Sequence, residues 1–157
     1  NILRQLKPVN GLDFGLETAI DDLIAFWKQR HPHIRFERNI APGLKLDRRA
    51  EETAYRIVQE ALTNAERHAE GVTTVTVELT ADENSAVGVR GFRDLLVRVT
   101  NDGKAYNGGR GFGIVSMQER ARALGGQLSI ESNLRSGAIL TFTLPSEVAY
   151  VDRPAGR

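Results

Sequence analysis

An α+β fold, a two-layer sandwich in which helices pack on one face of a mixed sheet, is what this chain of 157 residues predicts. Three observations point to it. Apolar residues recur at helical spacing in the segments beginning at Leu16 and Asp47. Apolar and polar residues alternate, at strand spacing, over 34–40 and 72–80. Helices and hairpin strands follow one another in mixed order, with no internal repeat.

The first helix carries Leu16, Ile20, Leu23, Ile24 and Trp27 on one stripe, with Asp21 and Asp22 facing out. It should stop before His31-Pro32, because proline disfavours helical backbone in the residue before it. Ile34 to Ile40 is a strand, and Pro42-Gly43 marks a turn. Asp47 is an acceptable N-cap for the longest helix, which runs to about Ala69. Its buried stripe is Ala54, Ile57, Val58, Ala61, Leu62 and Ala65. Val72 to Thr80 follows as a strand with Val75, Val77 and Leu79 inward. The polar stretch Ala81–Arg93 predicts a long hairpin loop, with a short strand at Val87-Gly88-Val89, before the returning strand Leu95–Thr100. A glycine-rich segment (Asn101–Gly113) leads into a helix over about Ile114–Leu124, capped by Gly125-Gly126. Leu128–Glu131 and Ile139–Leu144 close the sheet. The domain is thus expected over 16–145, with an irregular arm over 1–15 leading from upstream helices and a frayed tail over 146–157.

Composition narrows the function. A net charge of +1 with 26% charged residues gives no electrostatic reason to expect nucleic acid or an anionic membrane as the main partner. The sequence has 0 cysteines, which excludes disulfides and thiolate metal sites and permits a cytoplasmic location. No apolar run reaches the roughly 20 residues of a membrane helix, and the first residues do not resemble a signal peptide. The chain starts at Asn1 rather than Met, which suggests part of something longer, possessing any membrane anchor elsewhere.

The longest helix also carries the most informative polar residues. Glu60, Asn64 and His68 stand at i, i+4 and i+8 on one face, with Thr63 and Arg67 beside them, opposite the apolar stripe. Such a face can be merely solvated. An amide one turn from a carboxylate can also hold a hydrated magnesium ion, with basic residues at the helix end meeting phosphate oxygens. Asn101-Asp102-Gly103 directly follows a strand, as a ligand contact or as a tight turn. Gly108-Gly109-Arg110-Gly111-Phe112-Gly113 opens a helix, where glycines allow close approach and free N–H groups suit phosphate; a linker would read the same way. Gly125-Gly126 and Ser136-Gly137-Ala138 are adequately explained as turns.

Taken together and in this order, these features resemble a known family. Ile57-Val58-Gln59-Glu60-Ala61-Leu62-Thr63-Asn64-Ala65-Glu66-Arg67-His68-Ala69 is similar to the N box of sensor histidine kinases. Asn101-Asp102-Gly103 stands where their first glycine box falls. Gly111 to Arg120 resembles the second, and Leu124 to Leu128 continues it. Ser132 to Pro145 is similar to the closing segment, and Leu3 to Pro8 with Gly15 to Ile20 to the start of the domain. The subfamily resembled is the nitrate- and hexose-phosphate-sensing type.

That resemblance implies the ATP-binding fold shared with gyrase-type ATPases, heat-shock chaperones and mismatch-repair proteins. It implies ATP and Mg2+ as cofactors, with Asn64 as the metal ligand and Glu60 as the catalytic carboxylate. Arg67 and His68 would lie near the phosphates, Gly111, Phe112, Gly113 and Ile114 around them, and Asn101, Gly103 and Ala138 near the rest of the nucleotide. Asp102 to Arg110 would form a lid. The implied partners are a dimerisation domain bearing the phosphoacceptor histidine, within a homodimeric parent protein, and a response regulator of helix-turn-helix type. None of His31, His33 and His68 lies in the long-helix context a phosphoacceptor needs, so this chain alone should not autophosphorylate.

The chain departs from the pattern at the first glycine box, where Asn101 replaces an aspartate that accepts from the adenine amino group. An amide oxygen still accepts, without charge, at a loss of about 1–2 kcal/mol or roughly tenfold in affinity. Asp102 should point the other way in extended chain. Ala105 and Ser116 replace glycines, and Ala138 a threonine. A degenerate interaction domain of the same fold, binding ATP weakly or not at all, is therefore the competing reading. A related serine kinase acting as an anti-sigma factor fits Met117-Gln118-Glu119-Arg120 less well.

Overall fold

The computed structural model describes residues 10–68, 71–103, 112–133 and 137–151. A 3-10 turn (Asn10–Phe14) leads into helix α1 (Leu16–Arg30), strand β1 (Arg35–Ile40) and helix α2 (Arg48–His68). Strands β2 (Thr74–Ala81) and β3 (Leu95–Asn101), helix α3 (Phe112–Ala123), strands β4 (Gln127–Asn133) and β5 (Gly137–Leu144) and the short helix α4 (Ser146–Ala149) complete it. The sheet order is β1-β2-β3-β5-β4, with β1 parallel to β2 and every other neighbour antiparallel.

Alternation decides which face is covered. Val75, Val77 and Leu79, Leu95, Val97 and Val99, and Leu140, Phe142 and Leu144 are buried on one face. Between them Thr76, Glu78, Arg98 and Thr141 face the other way and stay partly exposed. Ala54, Ile57, Val58, Ala61 and Leu62 of α2, Leu16, Ala19, Ile20 and Ile24 of α1, and Met117 and Ala121 of α3 cover the apolar face. The result is the expected two-layer arrangement. No described helix is long and apolar enough to cross a membrane.

Helix ends follow their sequence signals. The Asp47 carboxylate accepts from the N–H of Arg49 at 2.9 Å, which caps α2. At the end of α3, Gly126 N–H donates to Ala121 O at 2.8 Å and Gly125 N–H to Arg122 O at 2.9 Å, the paired bonds of a Schellman cap. His31 does more than sit in a surface loop: its ring stacks on Trp27, and Nε2 lies 3.4 Å from Glu66 Oε2 on α2.

Three expectations need correction. The tail is not frayed as far as Val151. Tyr150 is only 6% exposed, forms a bridge with Leu46 and stacks on Phe92 at 4.9 Å, while Ala149 O accepts from Asp47 N–H at 2.8 Å. No strand forms at 87–89: Gly88 N–H donates to Phe92 O at 2.7 Å within a turn, and Val89 is 93% exposed. The leading arm is not wholly irregular, since the 3-10 turn buries Leu12. Residues 1–9 and 152–157 lie outside those described.

Candidate functional site

Chain connectivity brings the polar motifs to one end of the sandwich. Only residues 69–73 separate the end of α2 from the start of β2, so the Asn64 end of α2 lies where β2 begins. The antiparallel register sets Asn101 opposite Val75 on one side and Ala138 on the other, which places the last residue of β3 and the first turn of β5 at that same end. Helix α3 starts there too, because Gly113 packs directly on Glu60. A methyl group at Gly113 would lie 2.7 Å from Glu60 Cδ and 3.0 Å from Cγ, inside contact distance. Glycine at this position therefore makes room for the Glu60 side chain, a reason the motif spacing alone did not supply.

One turn further along α2, Asn64 Nδ2 is buried without a hydrogen-bond partner among the described residues. Buried amides are normally satisfied, so an orphan on a face chosen for polar residues asks for a ligand. The amide's nitrogen and oxygen exchange places by a flip of the side chain, so this position can offer a donor to a phosphate oxygen or an acceptor to a cation. The other such nitrogen among the described residues, on Trp27, belongs to a side chain that lines a crevice of about 20 Å3 together with Leu62 and Ala65 of α2.

Asn101 continues the inward parity of Leu95, Val97 and Val99 and is 9% exposed. Its Oδ1 accepts from the N–H of Gly103 at 3.1 Å, which folds the chain back at the strand end. That bond leaves Oδ1 a second lone pair. Asp102 points away, as its parity requires. Its carboxylate accepts from the N–H groups of Thr73 at 2.8 Å and Thr74 at 3.0 Å, and from the Thr73 hydroxyl. Desolvation pushes this carboxyl up, but those hydrogen bonds outweigh it and hold it below the ordinary carboxylate value. Asp102 is thereby committed to anchoring the segment on β2, not to substituting for Asn101.

Gly137, which as sequence reads only as a turn residue, supports Asn101 from behind. Its φ is +78°, and a methyl there would lie 2.9 Å from both Asn101 C and Gly103 N while overlapping Asn101 O. These neighbours are backbone and cannot swing aside. Gly137→Ala should therefore lower stability by roughly 2–4 kcal/mol, read as a fall in the denaturant midpoint at unchanged m. A loss below about 0.5 kcal/mol would contradict this packing.

Of the other residues singled out, Ile114 and Gly103 are buried and Ala138 is half-buried beside Asn101. Arg67, His68 and Phe112 occupy helix ends whose side chains lie outside those described, as do Gly111, Ala105 and most of the expected lid. The structure therefore sets Gly113 against Glu60, one turn from Asn64, and Gly103 against Asn101, with both groups at the same end of the sandwich. Sequence reading missed Gly137, for which a glycine beside a hairpin was the only signal, and Thr73, for which there was none.

Comparison with known proteins identifies the family and the fold. The family described as histidine kinase-, DNA gyrase B-, and HSP90-like ATPase matches residues 49–148. Over 146 residues the chain is 32% identical to the oxygen sensor histidine kinase NreB of Staphylococcus carnosus, covering 92% of this chain and 40% of that protein. It thus spans less than half the length of that relative. The histidine kinase domain of the Erythrobacter litoralis EL346 blue-light activated histidine kinase has a TM-score of 0.64 at 18% identity, over 84% of this chain and 61% of that one. The Acinetobacter baumannii histidine kinase AdeS gives 0.63 at 12%, over 82% and 64%. At such identities the two structures attest the fold. With a family match across most of the domain, the chain belongs to the histidine kinase-, DNA gyrase B- and HSP90-like ATPases.

Proposed function

We propose that this chain binds ATP with magnesium at the Glu60–Asn64–Asn101 end and donates the γ-phosphoryl group to a histidine on a dimerisation domain of its parent protein. The orphaned amide of Asn64, beside a carboxylate that packs on the first turn of α3, is the observation that carries this reading. Magnesium fits these residues: it takes few protein ligands and relies on phosphate and water oxygens, so one amide oxygen at Asn64 is enough. When bound it would neutralise phosphate charge and orient the triphosphate.

The chain's own residues supply the remainder. Asn101 accepts from the adenine amino group through the lone pair that Gly103 does not use. The N–H groups opening α3 face the phosphates, and Gly113 lets that turn sit close to Glu60. Glu60 accepts the proton that leaves the attacking imidazole as the N–P bond forms and the bond from γ-phosphorus to ADP breaks. Arg67, His68, Gly111 and Phe112 belong around the phosphates, and Ile114 and Ala138 beside the nucleotide. The parent protein, acting as a cytoplasmic homodimer or one anchored elsewhere, would pass the phosphoryl group on to a helix-turn-helix response regulator.

The alternative, an interaction domain that has lost nucleotide binding, rests on Asn101 and Ala138. Calorimetric titration with ATP and magnesium separates the two: absence of heat at millimolar ATP leaves only the alternative. Asn101→Asp should tighten ATP binding roughly tenfold by adding charge to the adenine contact. An affinity left unchanged or weakened would mean that the base sits elsewhere.

A further inference from the structure

A cavity of about 410 Å3 opens at the opposite end of the sandwich, lined by Gly43, Leu44, Lys45, Arg90, Phe92, Tyr150 and Val151. Its size is that of a small-molecule site. It lies near the hairpin end of β2, whose eight residues put it about 23 Å from the nucleotide end. Its walls come from three separate segments: the turn before α2, the β2–β3 hairpin and the residues 150–151 that follow α4. Each is held in place. Val151 N–H donates to Lys45 O at 3.0 Å, Leu46 bridges Tyr150, and Arg90 Nη2 donates to Glu147 O at 2.8 Å. The stacked rings of Phe92 and Tyr150, 4.9 Å apart, form an aromatic wall.

Two of the lining residues are basic. Lys45 is exposed, and its ammonium has no ion-pair or hydrogen-bond partner among the described residues. Arg90 belongs to the lining segment from the β2–β3 hairpin. Leu44, Val151 and the ring pair supply apolar surface to the same cavity. Such a lining, apolar and aromatic surface with two basic residues, suits a ligand with a planar apolar body and one anionic group. We infer that this cavity is a second ligand site, distinct from the nucleotide site, for a small aromatic or alicyclic carboxylate, sulfonate or phosphate.

The probe for the test is naphthalene-1-sulfonate, added to the nitrogen-15-labelled chain and followed by amide shifts. The expected result is saturable shifts at 43–45, 90–92 and 150–151, at probe concentrations on the order of 1 mM. Lys45→Glu, an exposed change that spares the core, should weaken probe binding roughly fivefold or more, and 0.5 M salt should weaken it in the intact chain. Binding of the neutral analogue 1-naphthylmethanol should change less than about twofold in Lys45→Glu. Phe92→Ala should weaken both ligands. Absence of saturable shifts at these residues would overturn the inference, as would sulfonate binding indifferent to both Lys45→Glu and salt. Neither outcome bears on ATP binding, which is read at Glu60 and Asn64.

Discussion

Asn64→Ala is expected to abolish magnesium-dependent nucleotide binding while leaving thermal unfolding nearly unchanged. The first half follows from position: the amide nitrogen is buried on the polar face of α2 and nothing among the described residues satisfies it. The second half follows from the same fact. A side chain that forms no internal hydrogen bond at that nitrogen and lies off the apolar stripe takes little stability with it when removed. A surface-type change of about 0.5 kcal/mol or less is the appropriate scale. Removing an unsatisfied buried amide can even stabilise. Titration calorimetry and a melting curve on the same sample check both halves. Unfolding of the variant would show that this face of α2 is structural.

The second large effect is on chemistry rather than binding. Glu60→Gln keeps the shape that packs on Gly113 but removes the proton acceptor. In the full-length parent protein, phosphorylation of the acceptor histidine should slow by roughly 10²–10⁴-fold. ATP affinity should stay within about threefold, because the proposed role lies in the transfer and not in holding the ground state. A quench-flow measurement of phosphohistidine formation separates this from a binding defect. A rate within a few-fold of the unmodified protein would remove Glu60 from the mechanism.

How much of this was readable beforehand depended on whether the signal was local. The inward residues of β2 and the stripe of α2 were legible because burial imposes their periods directly on the sequence. The Schellman cap was legible because a Gly-Gly pair after a helix has few other uses. Parity alone also placed Asp102 outside the site. The segment 146–151 was not legible: four helical residues and one bridge are too short for a period, and Tyr150 is buried by partners distant in sequence, Leu46 and Phe92. The strand expected at 87–89 failed because valines flanking a glycine have strand character, yet the turn bonding between Gly88, Gly91 and Phe92 prevails. Within the site, Glu60, Asn64 and Asn101 came from motif order. The reason for Gly113 and Gly137 did not, since a close approach between segments leaves no trace in either segment read alone.

The most direct test of the nucleotide cradle is an amide-shift titration of the nitrogen-15-labelled chain with a non-hydrolysable ATP analogue and magnesium. The prediction is saturable shifts concentrated at Glu60, Asn64, Asn101, Gly103 and Gly113, dependent on magnesium. Shifts absent at millimolar analogue, or confined to residues remote from these five, would contradict the assignment of this end of the sandwich as the ATP site.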